Sequence, residues 1–238
     1  MSERNQIDFR VSGRYALFTD PNSRLGGEKC SYFVPTYEAL KGIAKSIYWK
    51  PTFYWVIDAV RVMQRIRTQT RGTKPRKFTS AGNDLAIYTF LADVDYQVRA
   101  HFEWNLHRPE LAEDRIEGKH YALVSRMVEK GGRQDVFLGV RDCQGYVEPC
   151  DFGSGDGEYD GYGELSFGVM FHSFGYPDET GTNQLTVHLW QQTMENGIIR
   201  FVRPEACPYK KPVREMRAKK FGQGRLLGIE AEIAEWGG

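Results

Sequence analysis

The chain has 238 residues and a formal net charge of +1, with 32 Lys and Arg against 31 Asp and Glu. Hydrophobic residues at 41% and aromatics at 13% support a real core in one large domain or two small ones. No apolar run approaches the roughly eighteen residues of a membrane helix. The start, MSERNQIDFR, lacks a signal-peptide core, so a soluble, cytoplasmic protein without a membrane partner is expected.

QIDFRVSGRYALF predicts a first strand, broken at Gly13. VPTYEALKGIAKSIYWKP predicts a helix. Thr36 is a good N-cap, Glu38 falls in the first turn, and Leu40, Ile43, Ala44 and Ile47 share one face. Pro51 stops this helix, which leaves Tyr48 in its last turn. TFYWVIDAVRVM predicts a strand. The basic tract RVMQRIRTQTRGTKPRK follows from Arg61 to Lys77, with Gly72 and Pro75 marking a loop.

VDYQVRAHFEW alternates strictly. Val94, Tyr96, Val98, Ala100, Phe102 and Trp104 point one way, and Asp95, Gln97, Arg99, His101 and Glu103 the other. That pattern belongs to a sheet with one wet face. EGKHYALVSRMVEKGG predicts a second helix, with Val124, Met127 and Val128 as its stripe and Gly131-Gly132 at its end. QDVFLGVRDCQGYV predicts another strand.

The order strand, helix, strand, strand, helix, strand is the ferredoxin-like βαββαβ arrangement of an α+β protein, and also the scaffold of RNA-recognition modules. After it comes a glycine-rich acidic loop, CDFGSGDGEYDGYGE, read as a turn-rich, mobile connection. Two further strands and an Asn196-Gly197 hairpin turn then suggest an appended antiparallel sheet. The expected division is a ferredoxin-like domain over 1–146 and a β-rich extension over 147–238 with a basic tail.

Charge is segregated along the chain. The first tract holds Arg61, Arg65, Arg67, Arg71, Lys74, Arg76 and Lys77 and no acid. A second runs from Lys210 to Arg225 and includes Lys219 and Lys220. Such tracts in a near-neutral protein suggest a polyanion partner, the alternative being solvated loops. Arg65, Arg67, Arg71, Lys74, Arg76 and Lys77 are the candidate phosphate contacts.

No metal or cofactor is expected. Cys30, Cys143, Cys150 and Cys207 form no CxxC pair. The loop from Asp156 carries acids at EF-hand positions one, three and five, but Phe167 stands where the twelfth-position Glu belongs. His101 and His107 lack ligand spacing, and His172 and His188 sit inside strand patterns.

Lys119 and His120 remain, side by side where the second helix begins. The helix N-terminus carries partial positive charge and prefers an acid. Its free amides bind phosphate, and a lysine adds a point charge. A neutral imidazole beside them can accept a proton. Gly118 would permit close backbone approach. The alternative is an accident of a solvated surface.

Several stretches together resemble one family: GRYALFTDP, VPTYEALKGIAKSIYWKP, WVIDAVRVM, NLHRPEL, EGKHY, FLGVRDCQGYVEPCDFGSGDGEYD, YPDET and MENGIIRF. They are similar to the CRISPR-associated RAMP-superfamily subunit of subtype I-C systems, the d-type member of the Cas "five" family. The similarity runs from about Phe9 to about Arg214. The resemblance implies a modified RNA-recognition fold and a metal-independent endoribonuclease. Such an enzyme cuts the repeat of precursor crRNA at the base of its hairpin.

Carried onto this chain, the family's catalytic tyrosine is Tyr48, and its catalytic lysine and histidine are Lys119 and His120. The resemblance further implies attack by the 2′-hydroxyl, giving 2′,3′-cyclic phosphate and 5′-hydroxyl ends. His120 is then the favoured base, Lys119 stabilises the phosphorane, and Tyr48 is acid or positioning group. The reverse division follows if Lys119 makes Tyr48 more acidic. The implied partners are CRISPR repeat RNA, whose 5′ handle the subunit keeps, and the other subunits of the type I-C interference complex. The competing classes are a non-catalytic RNA-binding assembly subunit and a metal-dependent nuclease that also acts on DNA.

Overall fold

The computed structural model describes residues 5–21, 23, 28–78 and 81–218. Lys219, Lys220 and Arg225 of the second basic stretch, and the rest of the tail, lie outside these residues. Strand β1 (Gln6–Ala16) runs straight through Gly13, which does not break it as expected. A Cβ there would lie 2.6 Å from Leu138 Cδ1 and 2.9 Å from the Gln144 carbonyl oxygen. Close packing against the neighbouring hairpin requires the glycine.

Strand β2 (Lys29–Cys30) precedes helix α1 (Tyr37–Ile47). The Thr36 hydroxyl caps α1 by accepting from the Ala39 amide at 3.2 Å. Leu40, Ile43, Ala44 and Ile47 are buried along one face, as their spacing predicts. The helix stops just before Tyr48, which is extended at φ −163° while its amide still donates to the Ala44 carbonyl at 3.1 Å.

Strands β3 (Phe53–Val62), β4 (Thr68–Thr73) and β5 (Ala86–Trp104) follow, then a 3-10 turn over Pro109–Asp114. Helix α2 (Lys119–Glu129) leads to β6 (Val136–Phe137) and β7 (Gln144–Pro149). Strands β3, β5, β1 and β7 lie side by side in that order, each pair antiparallel. With α1 and α2 in the crossovers, this is the ferredoxin-like arrangement.

Two segments differ from expectation. The basic tract is not a plain loop, because Thr68–Thr73 pairs antiparallel with Ala86–Leu91, the outer end of β5. Its faces are exposed, so it has no apolar alternation to read, and β5 supplies its backbone partners. QDVFLGVRDCQGYV is two short strands rather than one, β6 and β7 closing a hairpin.

The C-terminal part comprises β8 (Glu164–Gly175), a short helix α3 (Pro177–Thr180), β9 (Gln184–Glu195), β10 (Ile198–Arg200) and β11 (Tyr209–Glu215). Asn196 and Gly197, at φ 47° and 80°, make the predicted two-residue turn. Strand β10 also pairs with β3, so the extension continues the first sheet.

The polar face of β5 is not wet. Asp95, Gln97 and His101 are buried. Gln97 donates to the Ser154 carbonyl at 2.7 Å and accepts from the Gly153 amide at 2.8 Å. Arg10 donates to Asp95 from Nε at 2.8 Å, Arg99 pairs with Asp8, and Arg203 forms two 2.8 Å bonds to Glu103. The acidic glycine-rich loop therefore lies on the sheet rather than swinging free. Arg61, counted in the basic tract, is buried beneath it and reaches Asp160 Oδ2 at 2.6 Å and the Gly155 carbonyl at 2.9 Å.

The opposite face carries the apolar core. Phe9, Val11, Val98, Ala100 and Phe102 pack there with Leu40, Ile47 and Val124 of the helices. Among the described residues no helix is long and apolar enough to cross a membrane.

Candidate active site

The end of α1 and the start of α2 meet over the edge of the apolar face. Tyr48 is fixed by its backbone, whose carbonyl accepts from Trp55 Nε1 at 2.9 Å. Its ring stacks on Phe53, with centroids 5.9 Å apart. Helix α2 begins at Gly118, which is left-handed at φ 73°. Nothing lies within 4 Å of a Cβ built there, so within this chain the glycine answers to its backbone angle. The first turn of α2 holds no acid and no side-chain cap.

His120, the second residue of α2, is 0% exposed. It packs edge-on against Phe53, at 5.4 Å between centroids, and Trp104, at 5.6 Å. Both its nitrogens are engaged. Nε2 lies 2.8 Å from the Asp114 carbonyl oxygen, and Nδ1 lies 3.1 Å from Tyr48 Oη. A carbonyl can only accept, so Nε2 carries the proton. In the neutral ring Nδ1 is then the acceptor, and the Tyr48 hydroxyl donates to it.

Asp114 ends the 3-10 turn and ties the cluster together. Its carboxylate accepts from Lys119 Nζ at 2.5 Å and from Thr52 Oγ1 at 2.6 Å, and lies 3.3 Å from His120 Nε2. Burial pushes this carboxyl up, but Lys119, Thr52 and His120 outweigh it and hold it below the ordinary range. Tyr48 is displaced the other way. Burial and then the Asp114 charge raise it, and Arg133 only partly offsets them. At neutral pH the phenol is therefore protonated.

The structure thus brings Tyr48, His120 and, through Asp114, Lys119 into one cluster. Lys119 is its solvent face, with 40% of the side chain exposed, whereas Tyr48 is 5% exposed. A groove lined by Trp49, Phe53, Asn105, Arg108 and Tyr176 opens beside it.

The basic candidates stand apart from this cluster, on the β4–β5 arm, and all six are exposed. Arg67 pairs with Asp93 at 3.4 Å, Arg65 approaches Glu158 at 3.9 Å, and Arg71 lies over the Tyr15 ring. Among the described residues no acid pairs with Lys74, Arg76 or Lys77.

Sequence reasoning missed Asp114, Thr52 and Arg133. A signal existed for Asp114: a helix start with two cations and no acid needs a carboxylate from elsewhere, and LAEDRIEGKH supplies one five residues before Lys119. Among the described residues no group of three or more His, Cys, Asp or Glu side chains is arranged to hold a metal ion.

Comparison with known proteins gives a consistent result. The family described as CRISPR-associated protein (Cas_Cas5), Cas5d, matches residues 6–202. The chain is similar to the CRISPR pre-crRNA endoribonuclease Cas5d of Mannheimia succiniciproducens, 28% identical over 225 residues, covering 82% of this chain and 94% of that protein. It is similar to the protein of the same name from Thermus thermophilus, 28% identical over 192 residues, covering 76% and 78%. A solved crystal structure of a CRISPR-associated protein superposes with a TM-score of 0.73 at 35% identity, covering 87% of this chain and 97% of that one. The chain belongs to the Cas5d family of CRISPR-associated proteins.

Proposed function

We propose that this chain is an endoribonuclease that cuts precursor crRNA in its repeat, at the base of the hairpin, and needs no metal ion. The observation that carries this reading is the 3.1 Å contact between Tyr48 and His120, in a cluster that also holds Lys119. After cutting, the protein stays on the 5′ handle as a subunit of a type I-C interference complex in the cytoplasm.

The geometry suggests how the proton moves. His120 is enclosed, so it meets the 2′-hydroxyl through Tyr48. The 2′-hydroxyl proton passes to Tyr48 Oη while the phenolic proton passes to His120 Nδ1. Because Tyr48 is held protonated, the two transfers are coupled. The 2′-oxygen bonds to phosphorus and the bond to O5′ breaks. Lys119 exchanges the Asp114 carboxylate for the phosphate, stabilises the developing charge and protonates O5′, which leaves in line opposite the 2′-oxygen. Solvent then returns a proton from His120 to Lys119. The products are a 2′,3′-cyclic phosphate and a 5′-hydroxyl.

The complete burial of His120 favours a second reading, in which it braces a non-catalytic RNA-binding subunit. One experiment separates the two. Labelled repeat RNA is incubated with purified protein in EDTA, alongside RNA carrying a single deoxyribose at the cut site. Cutting of the first and not the second is expected. Binding without cutting selects the assembly subunit, and cutting of the deoxy substrate at that site rules the mechanism out.

A further inference from the structure

We propose that Asp114 is the positioning residue of this site, its carboxylate holding Lys119 in place and supporting His120 when that ring takes up a proton. This rests on the nuclease reading above, although its first half can be tested without RNA.

Three observations carry it. The carboxylate accepts from Lys119 Nζ at 2.5 Å. It also lies 3.3 Å from His120 Nε2, the nitrogen opposite the one that faces Tyr48. Thr52 donates to it at 2.6 Å and so fixes its rotation toward both.

The backbone and side chain of Asp114 divide the work. The carbonyl oxygen, 2.8 Å from Nε2, holds the neutral tautomer whatever side chain is present. The carboxylate adds what the carbonyl cannot, a full negative charge behind the ring. A proton arriving at Nδ1 from Tyr48 makes an imidazolium, and the carboxylate 3.3 Å from Nε2 lies behind that charge. The logic is that of a carboxylate behind a catalytic histidine in a hydrolase triad. The same carboxylate keeps Lys119 beside the site until a phosphate replaces it.

Asp114→Asn keeps size and shape and removes the charge. The RNA-free protein is treated with an amine-acylating reagent, and labelling of Lys119 is followed by mass spectrometry. Labelling several-fold faster in the variant is expected, with Asp114→Glu returning it toward the parent. With repeat RNA, single-turnover cleavage by Asp114→Asn should fall about 100-fold, the scale of an impaired proton transfer. Affinity for RNA with a deoxyribose at the cut site should stay equal or tighten, because a carboxylate facing phosphate is lost.

Unchanged Lys119 labelling in a folded Asp114→Asn overturns the proposal. So does loss of cleavage that runs parallel to loss of RNA binding or thermal stability, since Asp114 would then only brace the fold. If the parent protein binds but does not cut, the nuclease reading fails, and the labelling difference alone decides whether Asp114 holds the cation.

Discussion

Tyr48 and His120 are 72 residues apart in the chain, and the Tyr48 hydroxyl meets His120 Nδ1 at 3.1 Å. The contact joins the C-cap of the first crossover helix to the first turn of the second. Tyr48→Phe removes it while keeping the ring on Phe53. Cleavage should fall by about 100-fold or more, with affinity for deoxy-blocked RNA unchanged. Stability should drop by about 1–3 kcal/mol, because a buried ring nitrogen loses its donor. A cleavage assay and a urea melt read the two effects separately.

Lys119 is the most exposed member of the cluster and the one expected to face the phosphate. Lys119→Ala should lower single-turnover cleavage by about 100- to 1,000-fold, as loss of a transition-state donor does. Its melting temperature should stay close to the parent's, since the lost ion pair is at the surface. A variant that unfolds instead would assign Lys119 to structure.

The β4–β5 arm should act through charge alone. Neutralising Lys74, Arg76 and Lys77, which no acid in the described residues offsets, should reduce the slope of log affinity against log salt by about 2–3. Neutralising Arg65 and Arg67 should change it less, because Glu158 and Asp93 already stand beside them. Filter binding of repeat RNA across a salt series distinguishes the two sets. An unchanged slope in both would leave the arm as solvated surface with no phosphate contact.

Arg61 should behave as structure despite sitting in the basic tract. Arg61→Met removes the guanidinium bonds to Asp160, to the Ser154 carbonyl, which keeps Gln97, and to the Gly155 carbonyl, and leaves an apolar side chain beneath the loop. A loss of about 2–4 kcal/mol in a denaturant melt is expected, with the salt slope of RNA binding unaltered.

Acid should weaken the sheet through Glu103. Arg203, with help from Tyr54 and His101, holds its carboxyl down at about 2. A carboxyl depressed in the folded state stabilises the fold above its ordinary value near 4.5, and that stabilisation is lost as pH falls from there toward 2. Glu103→Gln should flatten the decline in melting temperature across that window. The effect should stay below about 1 kcal/mol, because the pair is open to solvent.

Local rules read much of the scaffold. Thr36 caps α1 as its type and place require, VDYQVRAHFEW forms a strand though without the wet face its alternation predicts, and Asn196-Gly197 turns as that dipeptide should. The misses share a cause. Thr68–Thr73 is a strand only because β5 extends beside it, and Asp95 and Gln97 are buried only because residues far along the chain cover them. Such facts belong to pairs of segments, and a pattern within one segment does not contain them. The site divides likewise. Tyr48, Lys119 and His120 were named from their motifs, but the enclosure of His120 by Phe53, Phe102 and Trp104 and the reach of Asp114 depend on how three elements pack.

The acidic loop laid over β5 has a further consequence. An open four-stranded sheet of this topology offers its polar face as a table on which bases can lie flat. Here that table is already set with Gly153, Ser154 and the Arg61 guanidinium, and with ion pairs along its rim. The sheet serves as a girder rather than a reading surface. Open positive charge lies elsewhere in the molecule, on the β4–β5 arm and at Lys119.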